Sequence, residues 1–141
     1  MNRVLVIDDE PDVLLLCRVN LEHAGYEVIE AREGAQGLTL AQTSGPDAVV
    51  LDLMIPIMGG YEVLAALRSS EATREVPIVI LTAKAQREDQ IRCWEEGAAD
   101  FVTKPFPPEL LVSSLNRVIG MSAAERETRR EEALQRLRAE A

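Results

Sequence analysis

The sequence predicts an α/β fold, a doubly wound sheet of five parallel strands joined by helices on both faces, with an extra helix at the C-terminus. Short continuous apolar runs alternate with segments of helical periodicity, and such runs are typical of strands buried on both faces. Polar residues stand at or just past the ends of four runs: Asp8, Asp52, Thr82 and Lys104. Because parallel strands end at one edge of a sheet, where open α/β sheets bind ligands, these residues are expected to form one site.

The first half of the chain predicts three strands and two helices. Pro11 suits a first helical turn, Gly25 suits a helix stop, and the Gly45-Pro46 pair breaks the second helix. The second apolar run is more polar than the others, so it is expected at an edge of the sheet. In chain order these elements cover residues 4–7, 11–24, 26–30, 33–43 and 48–51.

The second half predicts two more strands and three more helices. A loop over 53–60 holds Pro56 and the pair Gly59-Gly60, and Gly97 stops the fourth helix. Parallel strands need right-handed crossovers, which places the helices on both faces of the sheet. In chain order these elements cover residues 61–70, 77–82, 85–96, 100–104 and 107–119.

Size and charge limit the classes of protein that the chain can be. A length of 141 residues predicts one main domain, and a net charge of −9 argues against direct nucleic-acid binding. Cys17 and Cys93 have no metal-type spacing and are expected to be buried, reduced thiols. The first apolar run is too short for a signal peptide or a membrane span, so we expect a cytoplasmic protein that does not enter a membrane.

Residues 121–141 are predicted to form a charged helical extension of a domain that covers residues 1–120. Ser122 and Glu125 form a capping box, so a helix should begin there. Its apolar residues are sparse, and the expected structure is a solvated helix that frays at its end, with the start of a coiled coil or a connector to a missing domain as alternatives. Its expected internal ion pairs are Glu125–Arg129 and Glu132–Arg136.

The carboxylates Asp8, Asp9 and Asp52 should repel one another at the sheet edge, unless a cation lies between them. Mg²⁺ takes a few protein carboxylates together with water, so it is the expected cofactor. The Asp52 carboxylate is then a candidate nucleophile that forms an aspartyl phosphate, and Thr82 and Lys104 can contact phosphoryl oxygens. Each of these residues alone could be a helix cap or turn residue, but the whole set at strand ends indicates a site.

Four motifs make the chain resemble the receiver domain of bacterial response regulators. They are Val-Leu-Val-Ile-Asp-Asp-Glu-Pro (4–11), Leu-Asp-Leu-Met-Ile-Pro (51–56), Leu-Thr-Ala (81–83) and Lys-Pro-Phe (104–106), in the order and spacing of that family. The resemblance covers about residues 2–120. It implies a flavodoxin-like sheet with strand order 2-1-3-4-5, an order that the receiver family itself exemplifies.

The resemblance also implies a role for each site residue. Asp52 is the expected phosphoacceptor, and Asp8, Asp9, Asp52 and the backbone carbonyl of Met54 are the expected Mg²⁺ ligands. Thr82 and Lys104 are the expected phosphate-sensing pair.

The expected switch aromatic is Phe101, whose ring turns inward when Thr82 moves toward the phosphate; the alternative is an ordinary core residue. The Lys104–Pro105 peptide bond is expected to be cis by the same resemblance.

The implied function is a phosphorylation-controlled switch rather than a conventional enzyme. Its partners would be a sensor histidine kinase or phosphotransfer protein and a downstream protein target or output domain. A stand-alone regulator is favoured over the receiver of a larger regulator. A Mg²⁺-dependent phosphohydrolase is the rival, although Met54 stands where such enzymes carry a second Asp. A receiver-like binding module that never accepts phosphate is a third possibility.

Two surfaces leave alternatives open. Ser113 and Leu115 replace Arg residues that help to form the dimer face of DNA-binding relatives, so dimerisation is possible but that dimer is not expected. Val13 and Leu16 lie beside the apolar stripe of the first helix, where they either join the core or contact a kinase.

Overall fold

The computed structural model describes residues 2–140, which form five strands and six helices. The strands are β1 (Arg3–Ile7), β2 (Glu27–Ala31), β3 (Ala48–Leu51), β4 (Ile78–Thr82) and β5 (Asp100–Thr103). The helices are α1 (Pro11–His23), α2 (Gly34–Ser44), α3 (Gly60–Ser69), α4 (Arg87–Glu95), α5 (Pro108–Gly120) and α6 (Ala123–Ala139). Each element agrees with its predicted position to within a few residues.

The five strands form one parallel sheet in the order β2-β1-β3-β4-β5. This confirms the strand order that the family resemblance implied and the edge position of β2. Ile7 pairs with Leu51 across β1 and β3, and Thr82 pairs with Thr103 across β4 and β5. The residues that follow these pairs therefore emerge side by side at the carboxyl edge of the sheet.

Alternate residues of the inner strands supply two hydrophobic cores, one on each face of the sheet. In β1, Val4 and Val6 pack toward α1 and α5, whereas Leu5 and Ile7 pack toward α2, α3 and α4. All four side chains are fully buried. Burying such a side chain contributes about 1.5–3 kcal/mol, so the two cores hold the strand ends in a fixed register.

The predicted helix stops at Gly25 and Gly97 are confirmed by their backbone angles. Their φ values are +97° and +101°, in a region that side-chain-bearing residues rarely adopt. Each glycine lets the chain turn from the end of a helix into the strand that follows.

The predicted capping box at the start of α6 is confirmed. The Glu125 backbone N–H donates to Ser122 Oγ at 3.1 Å, and the Ser122 N–H donates to Glu125 Oε1 at 2.9 Å. These two bonds satisfy donors that a helix start leaves without partners in the helix. The helix begins where the sequence predicted.

The prediction that this helix is solvated is wrong, because α6 packs against α4. Its three apolar side chains, Ala133, Leu134 and Leu137, are buried in a cluster with Trp94. Their spacing forms a narrow stripe on one side of α6, and the large Trp94 ring gives that stripe a partner. Arg129 bonds to Asp100 of β5 at 2.9 Å, whereas its expected partner was Glu125 of its own helix.

Within residues 2–140, no helix is both long enough and apolar enough to cross a membrane.

Candidate functional site

Asp8 and Asp52 lie side by side at the carboxyl edge of the sheet because their strands are neighbours. The Asp52 backbone N–H donates to the Ile7 carbonyl at 3.1 Å, and the Asp8 N–H donates to the Ala31 carbonyl at 3.0 Å. Both bonds continue the parallel pairing by one residue past the strand ends. Both carboxylates are almost completely buried.

Lys104 reaches this pair from the end of β5. Its Nζ lies 2.7 Å from Asp8 Oδ2, 3.0 Å from Asp52 Oδ2 and 2.9 Å from Glu10 Oε1. Burial alone would lower the pKa of Lys104, but its hydrogen bonds to the three carboxylates outweigh burial and raise that pKa. The ammonium therefore stays charged and partly neutralises the carboxylates around it.

The second oxygen of each buried carboxylate is fixed by the backbone two residues further on. Asp8 Oδ1 accepts from the Glu10 N–H at 2.9 Å, and Asp52 Oδ1 accepts from the Met54 N–H at 3.0 Å. Burial raises the pKa of Asp8, while the bonds from Lys104 and the Glu10 N–H oppose that rise. Each carboxylate is thus oriented with Oδ2 toward the ammonium.

Asp8, Glu10 and Asp52 form a group that fits a hard metal ion. Their carboxylate oxygens lie within 4.8 Å of one another. Carboxylate oxygens are the ligands that Mg²⁺ takes in proteins, and three of them at this separation suit one divalent ion. The chemistry of these donors agrees with the predicted cofactor.

The structure adds Glu10 to this group and separates Asp9 from it. Asp9 is exposed and lines a neighbouring open cavity of about 660 Å³, together with Met54 and Lys84. The backbone at Glu10 is extended, so side chains two residues apart point the same way and Glu10 follows Asp8 rather than Asp9. This alternation is the sequence signal for Glu10, which the sequence includes only as one residue of the motif over 4–11.

Thr82 is fully buried at the end of β4. Its carbonyl accepts from the Lys104 N–H at 2.9 Å, and its Oγ1 accepts from the Lys84 N–H at 3.2 Å. The expected sensing pair, Thr82 and Lys104, is therefore joined directly through the backbone. The expected cis bond between Lys104 and Pro105 is confirmed.

Phe101 is half-buried in β5, where it pairs with Ile80 and packs against the core that faces α3 and α4. It also lines a cavity of about 140 Å³ with Trp94 of α4 and Arg129 of α6. The ring thus lies between the core and the region beneath α6.

The loop after β3 brings α3 close to Asp52. The Gly60 N–H donates to the Leu53 carbonyl at 3.1 Å. A Cβ placed on Gly60 would lie 2.4 Å from the Asp52 carbonyl oxygen and 2.4 Å from the Leu53 Cα. A glycine is therefore required for this close approach of backbone to backbone.

The outer face of α1 carries exposed apolar side chains. Leu15, Leu16 and Val19 are 60%, 39% and 57% exposed. Of the two residues whose role was open, Val13 packs against the core and Leu16 is exposed. Leu15 and Val19 were not singled out in the sequence, because a helical stripe does not reveal which of its flanking positions are covered.

Comparison with known proteins points in one direction. The family model described as the response regulator receiver domain matches residues 4–116. The chain is 33% identical over 119 residues to the protein PilH of Pseudomonas aeruginosa. This match covers 84% of this chain and 98% of PilH. It is 40% identical over 119 residues to the transcriptional regulator RpaA of Synechocystis. This match covers 84% of this chain and 49% of RpaA. The chain spans about half the length of the transcriptional regulators that it matches.

Solved structures give the same result. The chemotaxis protein CheY4 of Vibrio cholerae aligns with a TM-score of 0.80 at 34% identity, covering 84% of this chain and 98% of CheY4. The receiver domain of the sensor histidine kinase PA1611 of Pseudomonas aeruginosa aligns with a TM-score of 0.79 at 32% identity, covering 85% of this chain and 98% of that one. The PA1611 domain was solved with a magnesium ion coordinated in its active site cleft.

Proposed function

Because the chain belongs to the response regulator receiver domain family, we propose that it accepts a phosphoryl group on Asp52 and changes conformation as a signal. The donor is a sensor histidine kinase or phosphotransfer protein, and the receiver of the signal is a downstream protein or output domain. The observation that carries the proposal is the contact of Lys104 Nζ with the buried carboxylates of Asp8 and Asp52 at 2.7 and 3.0 Å. We also propose that the protein acts in the cytoplasm, where its two buried cysteines, Cys17 and Cys93, would stay reduced.

The geometry of Asp52 supports its role as nucleophile. The Met54 N–H holds Oδ1, so Oδ2 is the oxygen directed into the site. Oδ2 attacks the phosphorus of the donor, a new O–P bond forms, and the bond between phosphorus and the donor breaks. The Asp52 carboxylate becomes an acyl phosphate, and the electron pair of the broken bond leaves with the donor group.

Lys104 and Thr82 then respond to the new group. The Lys104 ammonium exchanges a carboxylate oxygen for a phosphoryl oxygen, and the Thr82 hydroxyl, whose oxygen accepts from the Lys84 N–H, donates its own hydrogen to another phosphoryl oxygen. The movement of Thr82 leaves room for the Phe101 ring to turn inward, which is the proposed switch. Mg²⁺ held by the carboxylates of this site would supply positive charge close to the phosphoryl oxygens.

The proposed Mg²⁺ ligands are Asp8, Asp9, Asp52 and the Met54 carbonyl. Asp9 and Met54 border the same cavity, next to the buried pair. Glu10 is the alternative ligand, because its carboxylate already lies in the acidic group. The matched variants Asp9→Asn and Glu10→Gln separate the two sets: we expect the first to weaken Mg²⁺ affinity by about tenfold or more and the second to change it little. The reverse order would assign the site to Glu10.

The direct test of phosphorylation is intact mass after incubation with Mg²⁺ and acetyl phosphate. The chain should gain one phosphoryl group, and the Asp52→Asn variant should gain none. A wild-type chain that gains no group, or a variant that still does, would overturn the proposed mechanism.

The relatives differ in how much of their own length this chain matches. PilH is matched along almost all of its length and RpaA along about half of its length. Both arrangements therefore occur among the relatives of this chain, and the packing of α6 onto α4 is compatible with either.

The phosphohydrolase alternative has less support. Its general acid would stand at position 54, where Met54 has no proton to transfer. The dimer of DNA-binding relatives also lacks support, because Leu115 is fully buried in the core.

A further inference from the structure

The contact between α6 and α4 joins a single aromatic ring to a narrow apolar stripe. Trp94 is 4% exposed and packs with Ala133, Leu134 and Leu137, which are 3–5% exposed. The cluster is separate from both main cores. It is therefore a small contact that can open without disturbing the packing of the sheet.

Arginines of α6 add polar contacts around this cluster. Arg129 Nη2 bonds to Asp100 Oδ1 at 2.9 Å, Arg130 Nη1 donates to the Trp94 carbonyl at 3.2 Å, and Arg138 pairs with Glu95 at 2.6 Å. Partly exposed ion pairs contribute little stability each, but they fix the orientation and register of the helix. The surface formed by α4 and β5 thus fits a helix that combines an apolar stripe with arginines.

This surface is continuous with the proposed switch. Asp100, which Arg129 holds, directly precedes Phe101, and the Phe101 N–H donates to Asp100 Oδ1 at 2.9 Å. The Phe101 ring lines the 140 Å³ cavity that also borders Trp94 and Ala133. Three residues beyond Phe101 the strand leads to Lys104 in the acidic site.

We propose that the α4–β5 surface is a helix-binding surface which α6 occupies within the same chain, and that phosphorylation releases α6 from it. The inference rests on the proposed function. When the Phe101 ring turns inward, the cavity beneath α6 loses an apolar wall and water gains access to the cluster. The exposed surface then fits a helix of a downstream protein that carries the same pairing of leucines with arginines.

The contact of α6 with the α4–β5 surface and the phosphorylation of Asp52 influence each other. If phosphorylation weakens the contact of α6, loosening that contact should in turn favour the conformation that the phosphorylated chain adopts, and couplings between two binding equilibria amount to about 5- to 150-fold. A variant with a loosened α6 should therefore reach a given extent of phosphorylation at a lower concentration of acetyl phosphate.

Trp94 is the only tryptophan of the chain, so its fluorescence reports directly on this contact. The full-length protein is incubated with Mg²⁺ and acetyl phosphate, and each sample is divided between intact mass, fluorescence and brief trypsin digestion. In phosphorylated samples we expect Trp94 emission to shift to the red and trypsin to cleave within α6 at least about fivefold faster. The inference is overturned if a sample whose mass shows phosphorylation has unchanged Trp94 emission and an unchanged rate of cleavage. Slower cleavage within α6 in such a sample would overturn it as well.

Paired variants test the surface without a phosphodonor. Leu134→Glu places a charge in the apolar cluster, and Gln135→Glu adds the same charge at the neighbouring exposed position. We expect the first variant alone to show red-shifted emission and easier phosphorylation. Arg129→Gln, which keeps the cluster intact, should show a smaller change in the same direction. If Leu134→Glu requires as much acetyl phosphate as Gln135→Glu, the coupling is absent and the inference fails.

The two possible failures are distinguishable by mass. A chain that gains no phosphoryl group overturns the proposed function and the inference together. A chain that gains the group but keeps α6 in place overturns the inference alone.

Discussion

Lys104 and Arg68 are cations at opposite ends of the sheet, and each is held by several oxygen atoms. At the carboxyl end, Lys104 contacts three side-chain carboxylates. At the amino end, Arg68 donates to four backbone carbonyls, with its shortest bonds to Arg74 and Val76 at 2.6 and 2.8 Å. Burial lowers the pKa of Arg68 to about 10, and the charge of nearby Arg126 acts in the same direction.

The difference lies in what can replace each set of partners. Side-chain carboxylates can turn toward a metal ion, and an ammonium can turn toward a phosphoryl oxygen. Backbone carbonyls are fixed by the fold, so the bonds of Arg68 join α3 to the segments that precede β4 and β5 permanently. A charged cluster whose partners are exchangeable is suited to function, whereas one bonded to backbone is suited to stability.

The largest expected effect is that of Lys104→Met in the absence of Mg²⁺. The variant leaves the buried carboxylates of Asp8 and Asp52 without a cation, which should lower the free energy of unfolding by about 3–4 kcal/mol. Urea denaturation measures the loss. Mg²⁺ at about 100 times its Kd should restore about 2.7 kcal/mol, because it binds the folded state. A variant that Mg²⁺ leaves unchanged would show that the ammonium is not exchangeable for a metal.

Arg68→Met should lower the free energy of unfolding by about 3 kcal/mol, because several carbonyls lose a charged donor. Its exposed neighbour provides the control: Arg74→Met should change stability by less than about 0.5 kcal/mol. Mg²⁺ should stabilise Arg68→Met and the wild type equally, so the difference between these two should stay at about 3 kcal/mol in Mg²⁺. If the loss relative to wild type shrinks in Mg²⁺ as much for Arg68→Met as for Lys104→Met, the two ends of the sheet do not differ in this respect.

Asp52→Asn should raise the melting temperature in the absence of Mg²⁺. It removes one of three carboxylates that share a single ammonium, and we expect a gain of about 1 kcal/mol, or roughly 3 °C for a chain of this size. Differential scanning calorimetry measures the shift. An unchanged or lower melting temperature would mean that Lys104 already compensates the repulsion.

The smallest expected effect concerns the two thiols. Burial raises the pKa of Cys17 and of Cys93 to about 12, so both should resist iodoacetamide at pH 8 until the chain unfolds. Cys93 shares a core with Leu67 and Ala98, next to Arg68, whereas Cys17 lies in the other core. Arg68→Met should therefore speed labelling of Cys93 by about tenfold relative to Cys17, as mass spectrometry of digests would show. Equal acceleration at both sites would indicate global rather than local opening.

Local patterns were sufficient for the strands and for the position of the site, because apolar runs and their polar ends can be read directly, whereas the strand order came from the family resemblance. Asp8, Asp52, Thr82 and Lys104 were all predicted at strand ends, and all lie at that edge. The orientation of Glu10 was accessible in principle from the alternation of an extended segment. The packing of α6 was not, because it depends on a contact between Trp94 and residues some forty positions later.

Gly60 has no side chain and performs no chemistry, yet it restricts the substitutions that this site can accept. The atoms that would obstruct a Cβ belong to the backbone of Asp52 and Leu53, so no change of rotamer or neighbouring side chain can make room. A substitution elsewhere in the core can be offset by a second substitution that restores volume. At Gly60 it cannot, so a saturation library selected for phosphorylation should recover glycine there almost as strictly as aspartate at Asp52.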